Sequence, residues 1–155
     1  MNAPLVVVVH GKPAPQGSKR LVGHGVLIES SKHVKPWRTA VAFAVADAIR
    51  AAQAGPASAN AAWAVDLIFT MQRPRNHFRG GKHADELRAD APRAPAVTPD
   101  LDKLIRSTLD GLADGGAVPN DSHVVELHAV KTYPAGHIDS LDSPGVVITL
   151  REASS

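Results

Sequence analysis

The sequence predicts an α+β fold, a mixed β-sheet with two helices packed on it. Three features carry this expectation. Short β-branched or alternating runs recur from the first residues to the last, two stretches with helical apolar spacing interrupt them, and the order reads β-β-α-β-α-β-β without a repeat. A chain of 155 residues suits one compact domain over 1–155.

Leu5 to His10 is a β-branched run ended by Gly11 and reads as a buried strand. Lys12 to Arg20, with two prolines, a glycine and three cations, reads as a loop, and Val22 to Glu29 as a short strand or hairpin arm. Pro36 suits the first turn of a helix, after which Trp37, Val41, Val45 and Ile49 follow at spacing four until Gly55-Pro56. Trp63, Val65, Leu67, Phe69 and Met71 alternate, as in a strand with one well-buried face. The basic stretch 73–98 has no apolar period, three prolines and a Gly80-Gly81 pair, and reads as a long loop. Leu101, Leu104, Ile105, Leu109 and Leu112 form the stripe of a second helix capped by Gly115-Gly116. Val124 to Tyr133 and Val146 to Leu150 are the last two strands.

Composition narrows the function classes. There are no cysteines, so disulfides and thiolate metal sites are excluded. No apolar run reaches the length of a membrane span and no signal-peptide pattern opens the chain, so a cytoplasmic protein without membrane contact is expected. Seventeen Lys and Arg against fifteen Asp and Glu leave only +2, but the distribution is uneven. His10 to Arg38 and Arg73 to Arg93 are basic, whereas Pro99 to Glu126 carries six acids against two bases. An acidic centre between basic arms is how a metal-dependent phosphodiesterase would be charged, the arms tracking phosphates. Solvated loops of mixed charge are the plain alternative. The candidate phosphate contacts, as a set, are Lys12, Lys19, Arg20, Arg73, Arg75, Arg79 and Lys82.

The acidic centre presents Asp100 and Asp102 one residue apart, then Asp121 beyond the second helix. Three carboxylates give an all-oxygen set of the kind Mg²⁺ prefers, with Mn²⁺ the alternative, and a basic surround suits a polyanionic substrate. A D-x-D pair at a helix start is, by itself, an ordinary cap. Residues two apart on a helix point nearly opposite ways, so the pair converges only if the helix begins at or after Asp100. Thr98 as cap with Pro99 at the first helical position is the rival arrangement, which splays the acids. For one shared site, Asp121 must also converge on the pair. Arg106, four residues after Asp102, lies one turn along the same face, where a salt bridge to Asp102 is its plain role.

The order Asp100-Leu101-Asp102-Lys103-Leu104-Ile105-Arg106, Leu109-Asp110-Gly111-Leu112, Gly115-Gly116-Ala117-Val118 and Asn120-Asp121-Ser122-His123-Val124 resembles the RusA-type Holliday junction resolvases. That phage and prophage family of crossover junction endodeoxyribonucleases carries D-x-D-N-L-x-K, an L-D-x-L helix, a glycine turn and D-D before a strand. The likeness extends over most of the chain and is specific from Pro99 to Lys131. It implies Mg²⁺-dependent, paired nicking of four-way DNA junctions by a homodimer in recombination and repair. Carried over by position, it makes Asp100, Asp102 and Asp121 the catalytic, metal-binding acids and puts Arg106 where the family has a catalytic lysine. Lys131 matches a lysine in the last long strand.

Three departures stand out: Lys103 replaces an asparagine, Arg106 a lysine, and Asn120 the first acid of D-D. Arginine keeps the cation but does not give up a proton, so it serves as charge stabiliser rather than general acid or base. Asp110 reads as a solvated or salt-bridged helix residue, Asp114 as simply exposed, and His123 as a plain strand histidine. Lys131 lies ten residues past Asp121, on the order of 30 Å along a straight strand, and so is given a DNA-backbone role. The alternatives are a nuclease selective for other branched DNA and a catalytically inactive DNA-binding dimer of the same fold, the latter favoured by Asn120.

Overall fold

The computed structural model describes residues 3–17, 19–22, 26–29 and 32–154. The chain runs β1 (Leu5–His10), β2 (Lys19–Val22), β3 (Val26–Glu29), α1 (Val34–Ala51), β4 (Trp63–Thr70), α2 (Leu101–Asp114), β5 (Val124–Thr132) and β6 (Gly145–Glu152). β1, β6, β4 and β5 form a four-stranded sheet in that order, and β2 pairs with β3 in a separate antiparallel hairpin. β6 is antiparallel to both its neighbours, while β4 and β5 run parallel. Parallel neighbours need a long crossover. Here it consists of the 71–100 connection followed by α2. The expected α+β architecture, a mixed sheet covered by two helices, is the one observed.

Both helices lie on the same side of the sheet. Val7, Val9, Val65, Leu67, Phe69, Val146, Ile148 and Leu150 project toward them, meeting Trp37, Val41 and Val45 of α1 and Leu104 and Leu112 of α2. Burying a side chain of this size stabilises the fold by about 1.5–3 kcal/mol, and this alternation is what orients the sheet.

Three elements depart from expectation. The loop expected from Lys12 to Arg20 ends sooner, because Lys19 and Arg20 already belong to strand β2. The side chains of Lys19 and Arg20, proposed as phosphate contacts, lie outside the described residues. Helix α1 starts at Val34 rather than at Pro36, with Pro36 still in the first turn, where no N–H partner is needed. It stops at Ala51, short of Gly55-Pro56. Gln53 adopts φ 52°, and the N–H groups of Ala54 and Gln53 close on Ile49 O and Arg50 O. Finally, β4 is buried on both faces rather than one, at six of its eight residues. It is an interior strand, and the connection after β5 folds over its end, where Leu141 N–H donates to the buried Thr70 Oγ1 at 2.8 Å.

Helix α2 begins after Asp100, which has extended backbone (φ −68°, ψ 139°) and whose carbonyl accepts the first helical bond from Leu104 N–H. The rival start at Pro99 is not adopted. At the other end Gly116 takes φ +85° and the Ala117 and Gly116 N–H groups close on Leu112 O and Ala113 O, so the double glycine ends the helix as read.

Candidate active site

The acid pair straddles the start of α2, with Asp100 outside the helix and Asp102 in its first turn, and both are exposed. Asp100 Oδ2 lies 3.3 Å from Lys103 Nζ, so the lysine in the asparagine position of the family pattern neutralises part of the pair. Arg106 is exposed and, among the described residues, makes no ion pair. The salt bridge to Asp102, its plain role, is not formed, which leaves this guanidinium free for an incoming anion.

Asp102, Arg106, Asp110 and Asp114 follow at intervals of four, one stripe along α2. Arg38 of α1 docks on that stripe, 2.9 Å from Asp114 Oδ2 and 3.8 Å from Asp110 Oδ2. Burial raises the proton affinity of Asp110, and Asp121 and Asp114 push the same way, while Arg38 and Arg106 oppose them. The reading of Asp110 as a solvated or salt-bridged helix residue agrees with its pairing to Arg38. Its spacing of four from Arg106 and eight from Asp102 was the signal that it shares their face.

Asp121 opens a short 3-10 turn, Asp121–His123, that packs against α2 and leads into β5. Asn120, where the family pattern has an acid, caps this turn: its Oδ1 accepts from the Ser122 N–H at 3.0 Å and from the Ser122 hydroxyl. His123 lies with Nδ1 3.0 Å from Ala61 O, a structural bond that suits the plain reading of this residue.

Lys131 is placed differently from expectation. Its Nζ donates to Val97 O at 2.6 Å and Pro99 O at 2.8 Å, which sets it beside the segment entering Asp100. A helix that crosses between parallel strands runs back along them, so the start of α2 lies near the end of β5. Roughly 23 Å of strand, at 3.3 Å per residue, therefore separates Lys131 from Val124 at the Asp121 end. The strand needs no bend to bring Lys131 beside the segment that enters the acid pair. The site's acid pair sits at the Lys131 end and Asp121 at the other. Accordingly no group of three or more His, Asp or Glu side chains among the described residues is gathered to hold a metal ion.

The donor set nevertheless fits a hard divalent cation in kind. The three aspartates are exposed and offer only oxygen, and Gln16 Oε1 is a buried acceptor without a partner among the described residues. Gln16 belongs to the loop strapped to α2, where its N–H bonds Lys103 O and Ser107 Oγ donates to Ala14 O at 2.6 Å.

The cations proposed for phosphate contact divide into two groups. Arg79 is paired with Glu86 Oε2. Arg73 stacks 4.3 Å over the Tyr133 ring and donates to Pro92 O at 2.8 Å. Lys12, Arg75 and Lys82 are exposed without an ion pair among the described residues. The 73–98 loop is thus partly self-satisfied rather than a uniform basic arm.

No curated protein matches the chain. A family model does: that of the endodeoxyribonuclease RusA matches residues 10–151 of the 155, and no helix is long and apolar enough to cross a membrane among the described residues. Resolvase nucleases of this kind are in general dependent on a divalent metal. With the match covering nearly all of the chain, the protein belongs to the RusA endodeoxyribonuclease family, crossover junction hydrolases that act on Holliday junctions.

Proposed function

We propose that the protein is a Mg²⁺-dependent endonuclease that resolves four-way DNA junctions by paired, symmetric nicks as a homodimer in the bacterial cytoplasm. The observation that carries the reading is the start of α2, where two exposed carboxylates precede an arginine that has no ion pair among the described residues. Asp100 and Asp102 would hold the ion, with Asp121 as the third acid, and Mn²⁺ is the alternative occupant. Bound there, a divalent ion supplies positive charge to the phosphorus oxygens and lowers the cost of deprotonating water. Arg106 stabilises the negative charge that develops on the phosphate and, always protonated, neither takes nor gives the proton. Lys12, Arg75 and Lys82 hold neighbouring phosphates and orient the strand, a contribution of position rather than of chemistry.

A catalytically inactive DNA-binding dimer is the second reading, favoured by the Lys103–Asp100 ion pair and by Asn120 serving as a cap. A nicking assay in Mg²⁺ with four-way, Y-shaped and linear duplexes separates the readings. Matched nicks on opposite strands of the four-way junction alone are expected. Equal cutting of the Y-shaped substrate points to a nuclease for other branched DNA. Tight junction binding without any cutting points to the inactive dimer.

A further inference from the structure

Two cavities meet at the Thr98–Pro99 segment that leads into Asp100, and Lys12 lines both. The first, of about 360 Å³, is walled by Lys12, Arg73, Arg75 and Lys131 with Tyr133 and Pro99, and no acid lines it. None of the four cations is in an ion pair among the described residues. Two of them are held by neutral groups: Arg73 by Tyr133 and Pro92 O, Lys131 by Val97 O and Pro99 O. Such contacts fix the cations without neutralising them, and each keeps N–H donors to spare. A concave site lined by one sign of charge concentrates its field and attracts a counterion.

The second cavity, of about 580 Å³, is apolar in its walls. Pro13, Pro15, Pro36 and Pro99 line it, with Trp37 among them, and His10 and His33 stand at its exposed rim. Trp37 is 3% exposed and its Nε1 donates to Thr108 Oγ1 at 3.1 Å, so this wall is rigid. A cavity of this volume with flat hydrophobic walls accepts a planar ring, and every base has a face that stacks on such surfaces.

We infer that the Thr98–Pro99 ridge seats one unstacked nucleotide of the substrate strand, its phosphate in the cationic cavity and its base in the apolar one. Lys12 stands between the two. The site deepens the junction-resolving reading and rests on it, because a branch point is where a nucleotide leaves its stack at least cost. It sits directly before Asp100, so a nucleotide seated there fixes the phosphate next along the strand at the acid pair.

The test is equilibrium binding by fluorescence anisotropy, without divalent metal, to four-way junctions carrying one abasic residue. That residue keeps its phosphate, loses its base and is moved position by position around the branch. At one position the abasic change is expected to weaken binding about tenfold, within the range for loss of a stacked base. Ala40→Leu, which fills the apolar cavity, is expected to weaken the intact junction similarly and to erase the abasic difference. Arg75→Ala is expected to weaken intact and abasic junctions alike and to lower the log–log salt slope by about 0.9. Equal affinity for intact and abasic junctions at every position overturns the nucleotide site, and this arm alters only the DNA, so protein folding does not enter. A salt slope unchanged by Arg75→Ala overturns its phosphate half. The same scan on a single-stranded oligonucleotide separates the site from the reading beneath it. Abasic discrimination there, without preference for a four-way junction over linear duplex, removes the junction reading and leaves the nucleotide site standing.

Discussion

Asp102 is held in the first turn of α2 with its carboxylate exposed, so Asp102→Asn alters charge and ligand chemistry without disturbing the core. Cleavage in Mg²⁺ is expected to fall by more than a hundredfold while junction binding is kept or strengthened, since a negative charge facing DNA is removed. Cleavage within about threefold of the parent, roughly 0.6 kcal/mol of barrier, rules out its ligand role. Asp110 leads to a different measurement. Burial raises its proton affinity in the fold above that in the unfolded chain. Stability from that group is present at low pH and is lost as pH rises through the raised value. Asp110→Asn mimics the protonated acid, so the variant is expected to gain stability over the parent as pH rises from about 3 to about 7. Urea unfolding across that range checks it, and a difference independent of pH would sink the idea. The candidate acids Asp100, Asp102 and Asp121 and the cation Arg106 could be picked out of the sequence because their pattern is local, and a salt-bridged Asp110 was also read there. The partial burial of Asp110 and the surroundings of Lys131 were not legible. The burial of one depends on how α1 docks, and the position of the other on the direction in which β5 runs.

The docking of α1 on α2 is set by two glycines in register with two valines. A Cβ on Gly111 would lie 2.7 Å from Val41 Cβ, and one on Gly115 would lie 2.9 Å from Val45 Cβ. The near side is a branched Cβ fixed to helix backbone, so it cannot swing aside, and the helices must separate. Gly111→Ala improves helix propensity by about 1 kcal/mol, against an overpacking cost of about 1–3 kcal/mol. A net loss of about 1 kcal/mol is expected in chemical denaturation, and a stabilised variant would show that the seam yields. The glycines were legible in the sequence as punctuation, Gly115-Gly116 as a stop, but the demand for Gly111 inside the helix comes from a partner seventy residues away. The same holds for β4. Its alternation was visible, but at Thr70, on its second face, burial goes with the Leu141 segment folding back, its N–H bonded to Thr70 Oγ1. Periodicity reports which face of an element is apolar and says nothing of what a later segment covers.

At the scale of the whole molecule, the three acids lie toward opposite ends of one α2–β5 unit, and one chain does not gather them. A four-way junction is two-fold symmetric, and two matched nicks call for two equivalent sites, which a C2 dimer provides. Two-fold symmetry carries the Asp121 end of one subunit toward the acid pair of its partner whenever the axis passes near the middle of that unit. Each site would then draw on both chains, a consequence that mixing variants can test. Asp102→Asn and Asp121→Asn are each expected to be inactive alone. In a mixed dimer one site carries both substitutions and the other carries neither. Equal mixing, with exchange of subunits, makes about half the dimers mixed, so about a quarter of the sites are intact. Single nicks should return at about that level, while paired nicks on one junction should not, because no mixed dimer holds two working sites. If the mixture stays as inactive as its parts under conditions where subunit exchange is verified, each chain builds its own site. Movement within the chain must then bring Asp121 to the acid pair.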